Sequence, residues 1–259
     1  MSLFSVEIVG LLLLIAFIAG TVNGLAGFGF AVVGTMALAT VISPALAVVI
    51  MIVPILSANL TLLSELSTDQ LTSCGRRFGP LVGSALVGTV AGMALLDVIP
   101  EAPLRVGLGL ITLAFVVSQQ EAVALPELGD GSGPSLETPG AMVAIGSVSG
   151  LLFGATNVGV QIVAYLRSRD LSHSLFVGVV AMVFVGINGV RVGAAGLLGL
   201  YPTLAVFGLS VLAAVPAVAG VAAGSRLRSR VSTQHRRWAV LGLLMIIGFR
   251  LLLAGLDIA

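Results

Sequence analysis

The sequence predicts an all-α integral membrane protein, with about eight to ten membrane helices or half-helices in two homologous, inverted repeats, each opening on a glycine-broken segment. Three observations carry this reading. Hydrophobic residues fill 58% of the 259 positions and charged ones 9%, against about 25% charged in soluble domains; with a mean hydropathy of +1.18, the chain could not coat itself for water. The apolar residues lie in blocks, Pro44 to Leu63, Phe78 to Leu96, Leu171 to Val190, Thr203 to Gly224 and Trp238 to Leu256, each near the roughly 20 residues a helix needs to cross the hydrocarbon core. Polar and apolar residues do not alternate along them, so helices that satisfy their own backbone are favoured over a β-barrel. Finally, the glycines recur in register between the two halves.

Taken in order, the first apolar block begins after Glu7 with no basic n-region, which reads as a retained span rather than a signal peptide. It runs into Gly20, Asn23, Gly24, Gly27 and Gly29. Arg76 and Arg77, with the single cysteine Cys74, are expected in a loop between spans. One cysteine offers neither a disulfide nor a CxxC pair. Gln119 to Pro139 is a polar, Gly/Pro-rich linker, which divides the chain into a first membrane unit at 1–118, the linker at 119–139 and a second unit at 140–259. Beyond it, Gly150, Gly154 and Gly159 repeat Gly20, Gly24 and Gly29 at one constant offset, shared by Gly140 and Gly10. Gly220, Gly224 and Arg237 repeat Gly88, Gly92 and Arg105 at an offset two residues longer, so a short insertion accounts for the drift. Many transporters are built from such duplications. The arginines near 76–77, 167–169 and 226–237 are expected on the cytoplasmic side. All three groups share one side only if each glycine segment enters and returns, which makes the number of crossings per half odd and inverts the halves.

The glycine segments are the best site candidates, because a helix broken at membrane depth frees amide donors and carbonyls that lipid cannot satisfy. Freed N–H groups at half-helix N-termini favour an anion. Asn23, Asn157 and Gln161 could add amide donors without burying charge. For any single glycine, close helix packing is the commoner role. A second group is Asn188 and Arg191 near a span end, with Asn59 at the corresponding place in the first half. Arginine cannot shed its charge, so Arg191 must snorkel or meet water, protein or an anion. Arg250 lies deeper in the last block, and Arg105 and Arg237 read as interfacial anchors. The carboxylates avoid the middles of the blocks, Glu65 standing at a span end, which leaves no evident proton relay. His173 and His235 fall in loops and suggest no metal site. A P-loop is missing, as are an intramembrane nucleophile–base pair and any basic nucleic-acid surface.

These residues resemble a known family. Gly20, Asn23, Gly24, Ala26, Gly27, Phe28, Gly29 and Phe30, followed by Pro44, Ala45, Leu46 and Ala47, are similar to the first-repeat signature of the TauE/SafE sulfite exporters, also called the toluene sulfonate uptake permease family. Gly150, Gly154, Gly159, Tyr165, Leu166, Arg167, Leu171, Ser172 and Phe176, with Asn188 and Arg191, are similar to the second. The chain departs where Phe28 and Phe30 interrupt a glycine run, where Asn23 replaces a commonly acidic residue, and where Val48 and Val49 replace an Asn-Lys pair. The resemblance implies a carrier of sulfur-containing anions such as sulfite, sulfonates, sulfoacetate or thiosulfate in the cytoplasmic membrane, working without ATP or a cofactor.

The expectation is therefore a secondary carrier or facilitator of a small sulfur oxyanion, not an enzyme, with the lipid bilayer and a second copy of the chain, as a homodimer, as its other expected partners. Its expected substrate residues are Asn23, Gly24, Gly27, Gly29, Asn59, Gly154, Asn157, Gly159, Gln161, Asn188, Arg191 and Arg250. An anion channel and a non-transporting membrane scaffold are the alternatives.

Overall fold

A computed structural model describes residues 5–27, 29–63, 67–96, 98–118, 138–167 and 173–256. Among them stand twelve α-helices and no strand: α1 (Val6–Ala26), α2 (Phe30–Ala39), α3 (Pro44–Ile50), α4 (Ile52–Leu63), α5 (Thr68–Arg77), α6 (Gly79–Ala94), α7 (Glu101–Ser118), α8 (Pro139–Thr156), α9 (Val160–Arg167), α10 (His173–Leu197), α11 (Leu204–Leu227) and α12 (Thr233–Gly255). Six segments are long and apolar enough to cross a membrane, namely α1, α3–α4 together, α8, and most or all of α10, α11 and α12; α2 and α6 are shorter apolar helices. The chain is a multi-pass helical membrane protein.

The ends of these helices follow from residue chemistry. Ser5 caps α1, its hydroxyl accepting the Ile8 N–H at 3.4 Å. Thr138 caps α8 by accepting the Ala141 N–H at 3.2 Å, and Pro139 occupies the first turn, where its missing N–H costs nothing. The linker's last two residues thus cap and open α8, while 119–137 lie outside the described residues.

Polar turns extend several helices past the apolar blocks that announced them, because backbone hydrogen bonding does not stop where hydropathy does. Cys74, Arg76 and Arg77 therefore sit not in a loop but in α5, a short helix with a polar, exposed side and Cys74 buried. His173 opens α10, and His235 lies in the first turn of α12, its N–H bonded to the Ser232 hydroxyl. Neither histidine is a loop residue.

The bundle is held by glycine-lined helix pairs. A Cβ on Gly20 or Gly24 of α1 would strike the carbonyls of Ala217 or Val221 on α11, and one on Gly220 or Gly224 would strike those of Phe17 or Thr21. Gly88 and Gly92 of α6 meet Ser147 and Leu151 of α8 in the same way, and Gly150 and Gly154 meet Ala85 and Thr89. Residue numbers rise together along both pairs, so each pair is parallel. In lipid, where no hydrophobic force drives helices together, such backbone approach supplies the packing. By contrast, Gly109 packs on Gly248 and Gly255 on Arg105 and Val106, so α7 and α12 are antiparallel.

The α3–α4 span and most of α10 are the most enclosed, 61% of each being buried, whereas the span of α12 is only 28% buried. These two segments pack on each other at the centre, and α12 lies at the periphery against α7.

Candidate substrate site

Both halves break at the predicted positions. α1 ends at Gly27, whose φ of 80° is left-handed and whose N–H returns to Asn23 O at 2.7 Å; Gly29, at φ 106°, then opens α2. α8 ends at Asn157, left-handed at φ 61°, with its N–H on Phe153 O at 2.8 Å. Glycine and asparagine are the residues that tolerate this cap, and the two caps stand at the constant offset of the repeat. Gly27 packs on Val177 and Gly159 on Phe184, both of α10. Seven residues of helix separate those contacts, about 10 Å along its axis.

The second break is tied to the first half. Asn157 Nδ2 donates to Thr35 Oγ1 at 2.8 Å and to Val48 O at 3.0 Å. The next two carbonyls also receive side chains from the second half, Val49 O the Tyr201 hydroxyl at 3.5 Å and Ile50 O the Ser210 hydroxyl at 2.6 Å. Ile50 O is available because Pro54, four residues on, has no N–H to give it. The backbone of Val48 and Val49, positions where their own side chains are apolar, therefore carries polar contacts at the protein's centre.

Arg191 enters this group from α10 and is fully buried. Its Nη1 donates to Asn188 Oδ1 at 3.1 Å and its Nη2 to Gly154 O at 3.5 Å, and the guanidinium lies 4.9 Å from the Phe153 ring centroid. Among the described residues no carboxylate pairs with Arg191, and its Nε has no partner. Snorkelling is excluded by its burial. Asn188 is aimed by its own helix, Nδ2 donating to Phe184 O at 2.8 Å, and Asn59 repeats that bond to Ile55 O at 2.8 Å in the first half. Among the other expected site residues, Asn23 Nδ2, Asn157 Oδ1 and Gln161 Oε1 are likewise buried atoms without a partner.

The other expected residues take different places. Gly24 and Gly154 are occupied in helix packing, although Gly154 O also meets Arg191. Asn59 is satisfied within α4. Arg250 is a correction: it does not reach the interior, because Leu244, Ile247 and Leu251 form the buried side of α12 and leave Arg250 exposed beside Phe249. Sequence reasoning missed Thr35, Tyr201, Ser210 and Arg228. Pro54 was a readable signal for Ser210, since it announces a free carbonyl. Arg228 Nε donates to Gly24 O at 2.9 Å, so a guanidinium meets the same carbonyl in each half, Gly24 and Gly154, at the C-terminal end of the broken helix. A cation is favoured there by the helix dipole.

Two broken helices in a multi-pass bundle, with buried polar groups near the breaks, are a build that membrane transporters use. The chain belongs to the family described as Sulfite exporter TauE/SafE, whose model matches residues 12–251. That is a family of transporters, not of enzymes. No curated protein and no solved structure matches the chain.

Proposed function

We propose that the chain is a secondary carrier of a small sulfur oxyanion such as sulfite, bound at Arg191. The observation that carries this is the buried guanidinium itself. An arginine cannot neutralise by losing its proton, and an unpaired charge in a membrane interior is costly enough to imply a counter-ion. An oxyanion supplies that charge and accepts from the idle Nε. Asn188 and Phe153 hold the fork in place, Asn23 and Gln161 offer amides from α1 and α9, and the glycine breaks allow the backbone to adjust around the ligand.

The protein sits in the cytoplasmic membrane with its arginine-rich ends inward in this reading, and its halves are inverted. Inversion is supported by helix direction. We read the short α6–α7 and α11–α12 connections as reversals of the chain, in which case antiparallel α7 and α12 make α6 and α11 opposed. Their parallel partners α8 and α1, the opening helices of the two halves, are then opposed as well.

The test is saturable flux of radiolabelled sulfite in proteoliposomes. Gly159→Leu, which drives a side chain into the Phe184 ring, should abolish that flux while the protein remains inserted, as should Gly27→Leu. Absence of flux for sulfite and for sulfonates in the wild type would leave a scaffold; large currents that do not saturate would indicate a channel.

A further inference from the structure

Asn157 presents an acceptor whose direction is fixed. Its Nδ2 donates to two groups, and one of them, Val48 O, can only accept. Rotating the amide would set Oδ1 against that carbonyl, oxygen to oxygen. Asn157 Oδ1 is therefore held away from Val48, fully buried and without a partner. Burying an acceptor unsatisfied is costly, so the position calls for a donor. Gln161 Oε1, one turn further along, is also idle, but its amide is not pinned and can turn to suit.

Asn157 and Arg191 both stand at the C-terminal turn of α8. Arg191 lies over Phe153 and on Gly154, and Asn157 closes the same turn of α8, with its N–H on Phe153 O. Asn157 is also tied to the Val48 carbonyl, next to the Val49 carbonyl that receives Tyr201. Around this end of α8, among the described residues, stand one positive charge and an unpartnered N–H donor on Arg191 and a fixed acceptor on Asn157. A dianion would bring a second negative charge with no cation to meet it, and only oxygens that repel Asn157 Oδ1.

Resting on the reading of Arg191 as the anion site, we propose that the bound species is a monoanion carrying an O–H, the hydrogen oxyanion (hydrogen sulfite rather than sulfite), with that O–H donated to Asn157 Oδ1 and its charged oxygens facing Arg191. The titratable groups nearest the site are Arg191 and Tyr201, and a change of charge on either would act on both ligands at the same pH, so a profile that moves with each ligand's own ionisation assigns the dependence to the ligand.

The experiment measures binding to the purified full chain by calorimetry, with sulfite and selenite across the second ionisation of each acid, and with methanesulfonate, a monoanion that has no O–H. Affinity is expected to fall as each ligand loses its last proton, the selenite profile displaced to higher pH as its own ionisation is. Methanesulfonate should bind about tenfold or more weakly than hydrogen sulfite, the loss expected for one hydrogen bond to a buried partner. Asn157→Gly keeps the left-handed cap and removes the acceptor, so it should bring the two ligands to within about twofold of each other. Equal binding of methanesulfonate by the wild type, or affinity that rises with pH, overturns the protonated-ligand proposal while leaving an anion site at Arg191. Binding of none of the three at any pH overturns both.

Discussion

Arg191→Met separates the two things a buried arginine can do, holding a fold together and holding a ligand. The substitution keeps much of the side chain's length and removes the charge. It deletes the donors to Asn188 Oδ1 and Gly154 O, and each acceptor left without a partner costs about 1–3 kcal/mol. Against that, burying an uncompensated guanidinium costs several kcal/mol, which the variant recovers. The opposing effects are of similar size, so stability should change by no more than about 2 kcal/mol in either direction. Anion binding has no such compensation. Removing one partner of a desolvated charge pair costs about 2–5 kcal/mol, a loss of roughly thirtyfold to several-thousandfold in affinity. Thermal unfolding in detergent and sulfite calorimetry read the two effects on the same sample. Arg191→Lys, which keeps a charge but not the planar fork, should fall between wild type and Arg191→Met in affinity. Wild-type affinity in Arg191→Met would refute the site, and a collapse of stability with residual binding intact would make Arg191 a structural cap of α8 instead.

The remaining predictions concern packing and reactivity. Gly154→Ala would press a Cβ on the Thr89 carbonyl, a backbone atom that cannot step aside, and should destabilise by about 1–3 kcal/mol, whereas Gly140→Ala, with nothing within 4 Å, should be neutral or slightly stabilising; paired thermal melts decide, and equal melting points would refute the packing assignment. Arg228→Ala removes the bond to Gly24 O and should lower stability by about 1–2 kcal/mol, while the exposed Arg230→Ala should shift it by less than about 0.5 kcal/mol, again read by thermal unfolding. Burial pushes the Cys74 thiol up, with Arg77 acting in the opposite sense, so the folded protein holds less thiolate at neutral pH than the unfolded chain. Alkylation by iodoacetamide should be slower in the folded state and should quicken as pH rises; equal rates in folded and denatured protein would refute it.

How much of this was legible depended on whether the controlling chemistry was local. Helix breaks were readable because a left-handed cap demands particular residues, and Gly27 and Asn157 occupy equivalent positions. Arg191 was readable because a charge in an apolar block needs a reason wherever it points. Arg250 had the same local signature and a different outcome, since the face it occupies was set by the packing of α12 on α7. Gly24 and Gly154 show a related limit: glycine permits both close packing and backbone exposure, and only the neighbour at Val221 or Thr89 decides. The contacts of Thr35, Tyr201 and Ser210 are between residues far apart in the chain, and their partners are carbonyls of apolar residues, which carry no sequence signal of their own.

The way the halves interlock bears on how a carrier of this build can move. α1 packs on α11 and α8 on α6, so the opening helix of each half is joined to the other half by glycine-to-carbonyl contact along its length. Rocking one half as a body against the other would shear both seams at once, losing dispersion contacts that lipid replaces poorly in geometry though not in chemistry. The centre is joined differently. α2, the α3–α4 junction and the second break meet through a few side-chain bonds, from Asn157, Tyr201 and Ser210, each worth about 1 kcal/mol net. These contacts can be exchanged for others of the same kind, with a ligand among them. In the proposed carrier, the element able to rearrange is therefore the central set of short helices and broken ends, within a frame made by α1–α11, α6–α8 and α7–α12, and a ligand at Arg191 would bias it by engaging the unpartnered Arg191 Nε and Asn157 Oδ1 beside those bonds.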